Sequence, residues 1–119
     1  MTTTQKATQF GILQLAIILL TLATAFIHLF LGISLLGLGG PPMFILNGIG
    51  YLTLLIALYL PQLRKYQNYT RWALIGFAAV TIVAWAVITG FDLTNPLAVV
   101  TKLIEIALIV CLFLDGRRQ

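Results

Sequence analysis

Between Phe10 and Leu38 the chain carries no Asp, Glu, Lys or Arg, and that single run dictates the solvent in which the protein folds. A bilayer core about 30 Å thick is crossed by roughly 20 apolar residues in helical form, so this stretch has length to spare and is expected to tilt or project. Three further apolar runs follow, at about 43–60, 72–89 and 97–114. Gly39-Gly40-Pro41-Pro42 ends the first run, Pro61 stops the second, and Gly90 to Pro96 turns the chain between the third and fourth. Asp115-Gly116-Arg117-Arg118-Gln119 closes the last. No run shows the alternating pattern of barrel strands, and an isolated strand cannot satisfy its backbone in lipid. The expected fold is therefore all-α: one membrane domain over 1–119, a four-helix transmembrane bundle in up-down-up-down order. Short connections make consecutive helices antiparallel neighbours.

Composition excludes the soluble alternative. Apolar residues make up 61% of the chain and charged residues 8%, against about 25% charged in ordinary soluble domains. Too few charged side chains exist to cover a water-facing surface. Lys6, the run Ile12–Leu22 and Ala23-Thr24-Ala25 imitate a signal peptide. The apolar run continues through Phe26–Leu38, however, so an uncleaved first span is expected.

Lys6 precedes the first span, Arg64, Lys65 and Arg71 fall between the second and third, and Arg117 and Arg118 follow the fourth. The connections 39–42 and 90–96 contain no Lys or Arg, so six of the seven basic residues share one side. By the positive-inside rule both termini and the 61–71 loop are cytoplasmic, in a multi-pass protein of the cell (plasma) membrane. This bias accounts for the net charge of +4, and no nucleic-acid partner is expected. The loop cations also suit anionic headgroups or an acidic partner, though topology is their plainer role. Tyr51, Tyr66, Tyr69, Trp72 and Trp85 are expected as interfacial anchors. Gly76, Ala79, Val83, Ala86 and Gly90, spaced by three and four, form a small-residue stripe expected to pack against another helix.

Ionisable groups inside hydrocarbon cost roughly 2.5–3.5 kcal/mol each on insertion scales, so each calls for a partner. Three occur, His28, Lys102 and Glu105, with Asn47 as a further polar group. Counting the helical rise of about 1.5 Å per residue from the neighbouring connections puts His28 and Glu105 at one level. Lys102 and Glu105 are three apart on one helix and can touch. Thr81 falls near the same level, with Trp85 a turn above. Gln14, Thr21, Thr24, His28 and Gly32 share one face of the first helix and should point inward. The expected site is an internal polar cluster of His28, Asn47, Thr81, Lys102 and Glu105. It reads either as a satisfied ion pair fixing helix register or as a proton-handling or polar-ligand site. Burial against a partner subunit, or a Lys102 that snorkels and leaves Glu105 to His28, would also fit.

Other chemistries find little footing. Cys111 lies toward the opposite membrane face from His28, so the two cannot share a zinc ion, and no metal site is expected. Cys111 itself reads as a small apolar residue. No cofactor is expected, although a lone His28 could ligate haem or a chlorin magnesium. No nucleophile–base arrangement is visible, since Ser34, the only serine, lies on the lipid-rich end of the first span, and Gly37-Leu38-Gly39-Gly40 lacks the strand and lysine of a phosphate loop.

His28-Leu29-x-x-Gly32, Phe44-x-x-Asn47-Gly48-x-Gly50-Tyr51 and Lys102-x-x-Glu105-x-Ala107-Leu108-Ile109 together give a chain that resembles small uncharacterised four-helix integral membrane proteins of prokaryotes. The resemblance covers most of the chain and implies a fold and a polar pattern, with no activity attached. In size the chain is also similar to small multidrug exporters. Those carry their essential carboxylate in the first helix and have weak charge bias, whereas Glu105 stands in the last helix here and the bias is strong. The expected function is that of a non-enzymatic membrane protein, an accessory or scaffold subunit of a complex or a homo-oligomer, held by lipid and by protein partners or self-association. A small transporter or redox-linked protein working through His28 and Glu105 is the alternative.

Overall fold

A computed structural model describes the backbone of residues 3–39, 42–90 and 92–117, with side chains from residue 11 onward. The Gly40-Pro41 break, the Lys6 side chain, Arg118 and Gln119 lie outside the described residues. Four α-helices make up the fold: α1 (Thr3–Gly37), α2 (Met43–Tyr59), α3 (Gln67–Thr89) and α4 (Pro96–Arg117). No strand occurs among the described residues.

Each boundary has a local cause. The end of α1 unwinds through Leu38 N–H to Leu35 O and Gly39 N–H to Leu36 O, both 3.0 Å, with Gly39 at φ +84°. Gly90, at φ +66°, caps α3 in the left-handed conformation and donates its N–H to Ala86 O. Asn95 opens α4 by accepting the N–H groups of Leu97 (3.1 Å) and Ala98 (3.3 Å) on Oδ1. Pro61 stops α2, but the chain does not loop as expected over 61–71. A 3-10 helix (Pro61–Tyr66) leads directly into α3, so Gln67–Arg71 form the first turns of that helix.

The helices form a four-membered ring, α1 beside α2 and α4, α3 beside α2 and α4. Neighbours are antiparallel, as the paired positions show. Gln14 meets Asp115 and Thr24 meets Glu105 across α1–α4, while Asn47 meets Thr81 across α2–α3. The start of α1 and the end of α4 therefore lie at one end of the bundle, together with Arg71. The opposite end holds the α1–α2 and α3–α4 connections. Close approach of α1 and α2 depends on glycine. A Cβ on Gly32 would fall 2.7 Å from the Ile45 backbone nitrogen, and one on Gly48 would fall 2.9 Å from the Ala25 carbonyl oxygen.

The core is a column of Ile17, Leu55, Leu58, Leu74, Ala78, Leu108 and Leu112, all buried. Large apolar side chains also cover the outside of every helix, among them Ile12, Phe30, Ile56, Val87 and Leu103. Three segments are long and apolar enough to cross a membrane, Gly11–Gly37, Pro61–Thr89 and Pro96–Arg117. At 17 residues α2 is shorter, about 26 Å by its rise. Of the small-residue stripe of α3, Ala79 and Ala86 are half-buried, whereas Gly76, Val83 and Gly90 are exposed. Nothing lies within 4 Å of a Cβ built on Gly76 or Gly90, and Val83 is 60% exposed. The inward face of α3 is instead Arg71, Leu74 and Ala78.

Candidate functional site: two buried polar clusters

Glu105 is completely enclosed, and its carboxylate is the hub of the first cluster. From α1, Thr24 Oγ1 donates to Oε2 at 3.1 Å. From α2, Tyr51 Oη donates to the same oxygen at 2.7 Å. From its own helix, Lys102 Nζ donates to Oε1 at 2.7 Å. Three helices thus converge on one carboxylate, and its charge is met by an ammonium and two hydroxyl dipoles. Charge-assisted bonds of this kind are about twice as strong as neutral ones.

His28 lies at the same level, as the helical rise requires. Its Nδ1 is 2.8 Å from the Thr24 carbonyl oxygen, which can only accept, so Nδ1 carries the proton. Nε2 then faces Glu105 Oε2 at 4.0 Å. Phe44 and Tyr51 flank the ring with centroids 6.0 and 5.9 Å away. Lys102 is 8% exposed and does not snorkel; its ammonium lies 5.9 Å from the Trp85 ring centroid while bound to Glu105.

Of the five expected site residues, His28, Lys102 and Glu105 come together around this hub. Asn47 and Thr81 bond each other across α2–α3, Nδ2 donating to Oγ1 at 2.9 Å, and Thr81 passes its own proton to Phe77 O at 2.9 Å. That leaves Asn47 Oδ1 buried with no hydrogen-bond partner. Tyr51 is the residue that sequence reasoning misplaced. Expected at the interface, it has no exposed surface and supplies the shortest hydroxyl bond to Glu105. Tyr66, Tyr69 and Trp72 are exposed, as anchors would be.

A second cluster sits at the basic end, and sequence reasoning did not assemble it. Arg71 and Asp115, 2% and 3% exposed, form an ion pair with Nη2 3.2 Å from Oδ2. Gln14 Nε2 donates to Asp115 Oδ1 at 3.0 Å, and Arg71 Nη1 reaches Asn68 Oδ1 at 3.4 Å. Arg71, expected in a loop with topology as its plainer role, is buried because α3 begins before it. Asp115, expected to close the last span, faces inward because α4 continues to Arg117. The inward face of α1 carries both clusters: Gln14 serves the second, Thr24 and His28 the first. Thr21 between them turns its hydroxyl back onto Ile17 O at 2.6 Å.

The third acidic residue, Asp92, lies in the exposed α3–α4 connection. Hydrogen bonds from the side chain and the backbone N–H of Thr94 hold its carboxyl below the usual range. Among the described residues no group of three or more His, Cys, Asp or Glu side chains is placed to hold a metal ion. Cys111 is a half-buried free thiol beside the core.

Residues 2–114 match the model of a family described as a family of unknown function, DUF7475. No curated protein and no solved structure matches the chain. Since the match spans nearly the whole four-helix unit, the protein belongs to the DUF7475 family.

Proposed function

We propose that the protein is a non-enzymatic, multi-pass subunit of the plasma membrane that packs through α3 against another membrane helix, as an accessory or scaffold component or as a homo-oligomer. Both termini and the 61–71 segment face the cytoplasm in this reading, because Arg64, Lys65, Arg71 and Arg117 gather at the end that also holds the start of α1 and the end of α4. The observation that carries it is a contrast between inside and outside. The Glu105 and Asp115 carboxylates are engaged within the chain, while Gly76, Val83 and Gly90 of the α3 stripe face outward. Buried residues make up only 11% of an 18-residue apolar stretch within Pro61–Thr89, against 33% within Gly11–Gly37 and 22% within Pro96–Arg117. Small residues that let backbones approach are what joins helices in lipid. The reading needs no cofactor.

Val83→Cys in a Cys111→Ser background tests it: oxidative cross-linking in native membranes should capture a second helix, either of a larger subunit or of another copy. A chain that stays uncross-linked and runs as a monomer in mild detergent would remove the packing role. Labelling of a cysteine at residue 64 by an impermeant reagent from outside the cell would reverse the orientation. A rival reading, a small transporter or redox-linked protein, draws on the 4.0 Å gap between His28 Nε2 and Glu105. Proton flux in vesicles decides between the two.

A further inference from the structure

At the basic end, between the start of α3 and the end of α4, lies a pocket of about 130 Å³ lined by Asn68, Arg71, Trp72, Ile75, Leu112, Phe113, Gly116 and Arg117. Its lining changes character along the helix axes. Asn68, Arg71 and Arg117 stand toward the end of the bundle; Ile75 and Leu112 stand deeper, toward its middle. Trp72 and Phe113 meet edge to face at 6.5 Å in between. Arg117 is held beside the pocket by its guanidinium, 5.9 Å from the Phe113 ring centroid. Arg71 forms the back wall. Its Nη1 and Nη2 are engaged by Asn68 and Asp115, but its buried Nε has no hydrogen-bond partner. Gly116 leaves the room for this: a Cβ there would lie 3.0 Å from Arg71 Cδ and 3.7 Å from Nε.

From this gradient we infer that the pocket is a binding site for an anionic phospholipid, its phosphate held by Arg117 and Arg71 and the start of its acyl chain lying on Trp72, Phe113 and Ile75. The inference rests on the proposed membrane placement, which puts this end at the inner leaflet headgroups. Charge and chemistry agree with it. Asp115 neutralises one guanidinium, and no carboxylate among the described residues pairs with Arg117 at the mouth. A planar guanidinium suits phosphate oxygens, and basic pockets between membrane helices on the cytoplasmic side recognise anionic headgroups. A free phosphate would use the cationic end alone; the apolar continuation down α3 and α4 selects a lipid.

Trp72 provides the readout, since the chain has two tryptophans and Trp85→Phe removes the other. Protein of that background, delipidated in mild detergent, is titrated with brominated phosphatidylglycerol, brominated phosphatidylcholine or inorganic phosphate. Phosphatidylglycerol should quench Trp72 at a lower mole fraction than phosphatidylcholine. Arg117→Gln should weaken that preference roughly tenfold, the loss of one charge-assisted contact. Arg64→Gln, outside the pocket, should change it far less. Arg71→Gln is avoided because it strips Asp115 of its partner. Equal quenching by both lipids, an unchanged preference in Arg117→Gln, or an equal loss in Arg64→Gln overturns the site. Displacement of the lipid by inorganic phosphate alone overturns it in favour of a free anion. If the protein stays monodisperse without detergent, the membrane placement itself falls. If it needs detergent yet shows no lipid preference, only this site does.

Discussion

Lys102→Met and Glu105→Gln, alone and together, measure how the first cluster is held. Removing the ammonium in Lys102→Met leaves the carboxylate with Thr24 and Tyr51 as donors at a position with no exposed surface. Breaking one partner of a buried pair costs about 3–5 kcal/mol. Lys102→Met should therefore lose about 3–5 kcal/mol at neutral pH. Glu105→Gln should lose less. An amide oxygen still accepts from Tyr51 and Thr24, and Lys102, 8% exposed beside Trp85, can relax toward the bundle end. The double variant leaves no unpaired charge and should recover to within about 1 kcal/mol of wild type, as buried pairs replaced by neutral groups of similar volume do. Dodecyl sulfate titration followed by far-ultraviolet circular dichroism gives each free energy. A double variant as unstable as Lys102→Met would refute the reasoning, as would three variants indistinguishable from wild type.

Glycine substitutions should separate inward from outward positions. Gly48→Ala places a methyl 2.7 Å from Leu29 Cγ and 2.9 Å from Ala25 O, an overpacking cost of about 1–3 kcal/mol; Gly76→Ala meets nothing and should be neutral or stabilise by up to about 1 kcal/mol. The same titration ranks the two. Asp115→Asn leaves Arg71 buried without a counter-charge and should cost about 3 kcal/mol, more than Asp115→Asn combined with Arg71→Leu; equal losses would mean that the two residues are not coupled.

Legibility in the sequence followed the nature of each signal. The inward face of α1 was readable because Gln14, Thr21, Thr24 and His28 repeat at helical spacing in an otherwise apolar run, and all four are buried. The Lys102–Glu105 contact was readable from three-residue spacing, and the common level of His28 and Glu105 from helical rise. Tyr51 was not, because a phenol suits an interface and a buried donor equally well, and only its neighbours decide. Arg71 and Asp115 were hidden by position. Charges near span ends read as orientation signals, and a 3-10 helix that merges into α3 cannot be told from a loop by composition. The α3 stripe was legible as a spacing of small residues, but spacing carries no information on which helix, of the same chain or another, would pack there.

Ionisable groups at two depths invite the idea of a proton path, and the packing between them opposes it. Glu105 and Asp115 are ten residues apart on α4, about 15 Å by helical rise. That interval is filled by Leu108 and Leu112 on α4, Ile17 on α1, Leu74 and Ala78 on α3, and Leu55 and Leu58 on α2. The one hydroxyl on the inward face of α1 between the clusters, Thr21, is turned onto its own backbone. A water chain needs two to four polar partners per molecule, which this layer does not offer. Vesicles containing the purified protein should therefore hold an imposed pH gradient as long as empty vesicles do, read by an entrapped pH-sensitive dye. Leu108→Ala, which opens the layer without adding a polar group, should leave the gradient intact. Dissipation by the wild type that Glu105→Gln abolishes would establish a conducting role for the first cluster and end the scaffold reading.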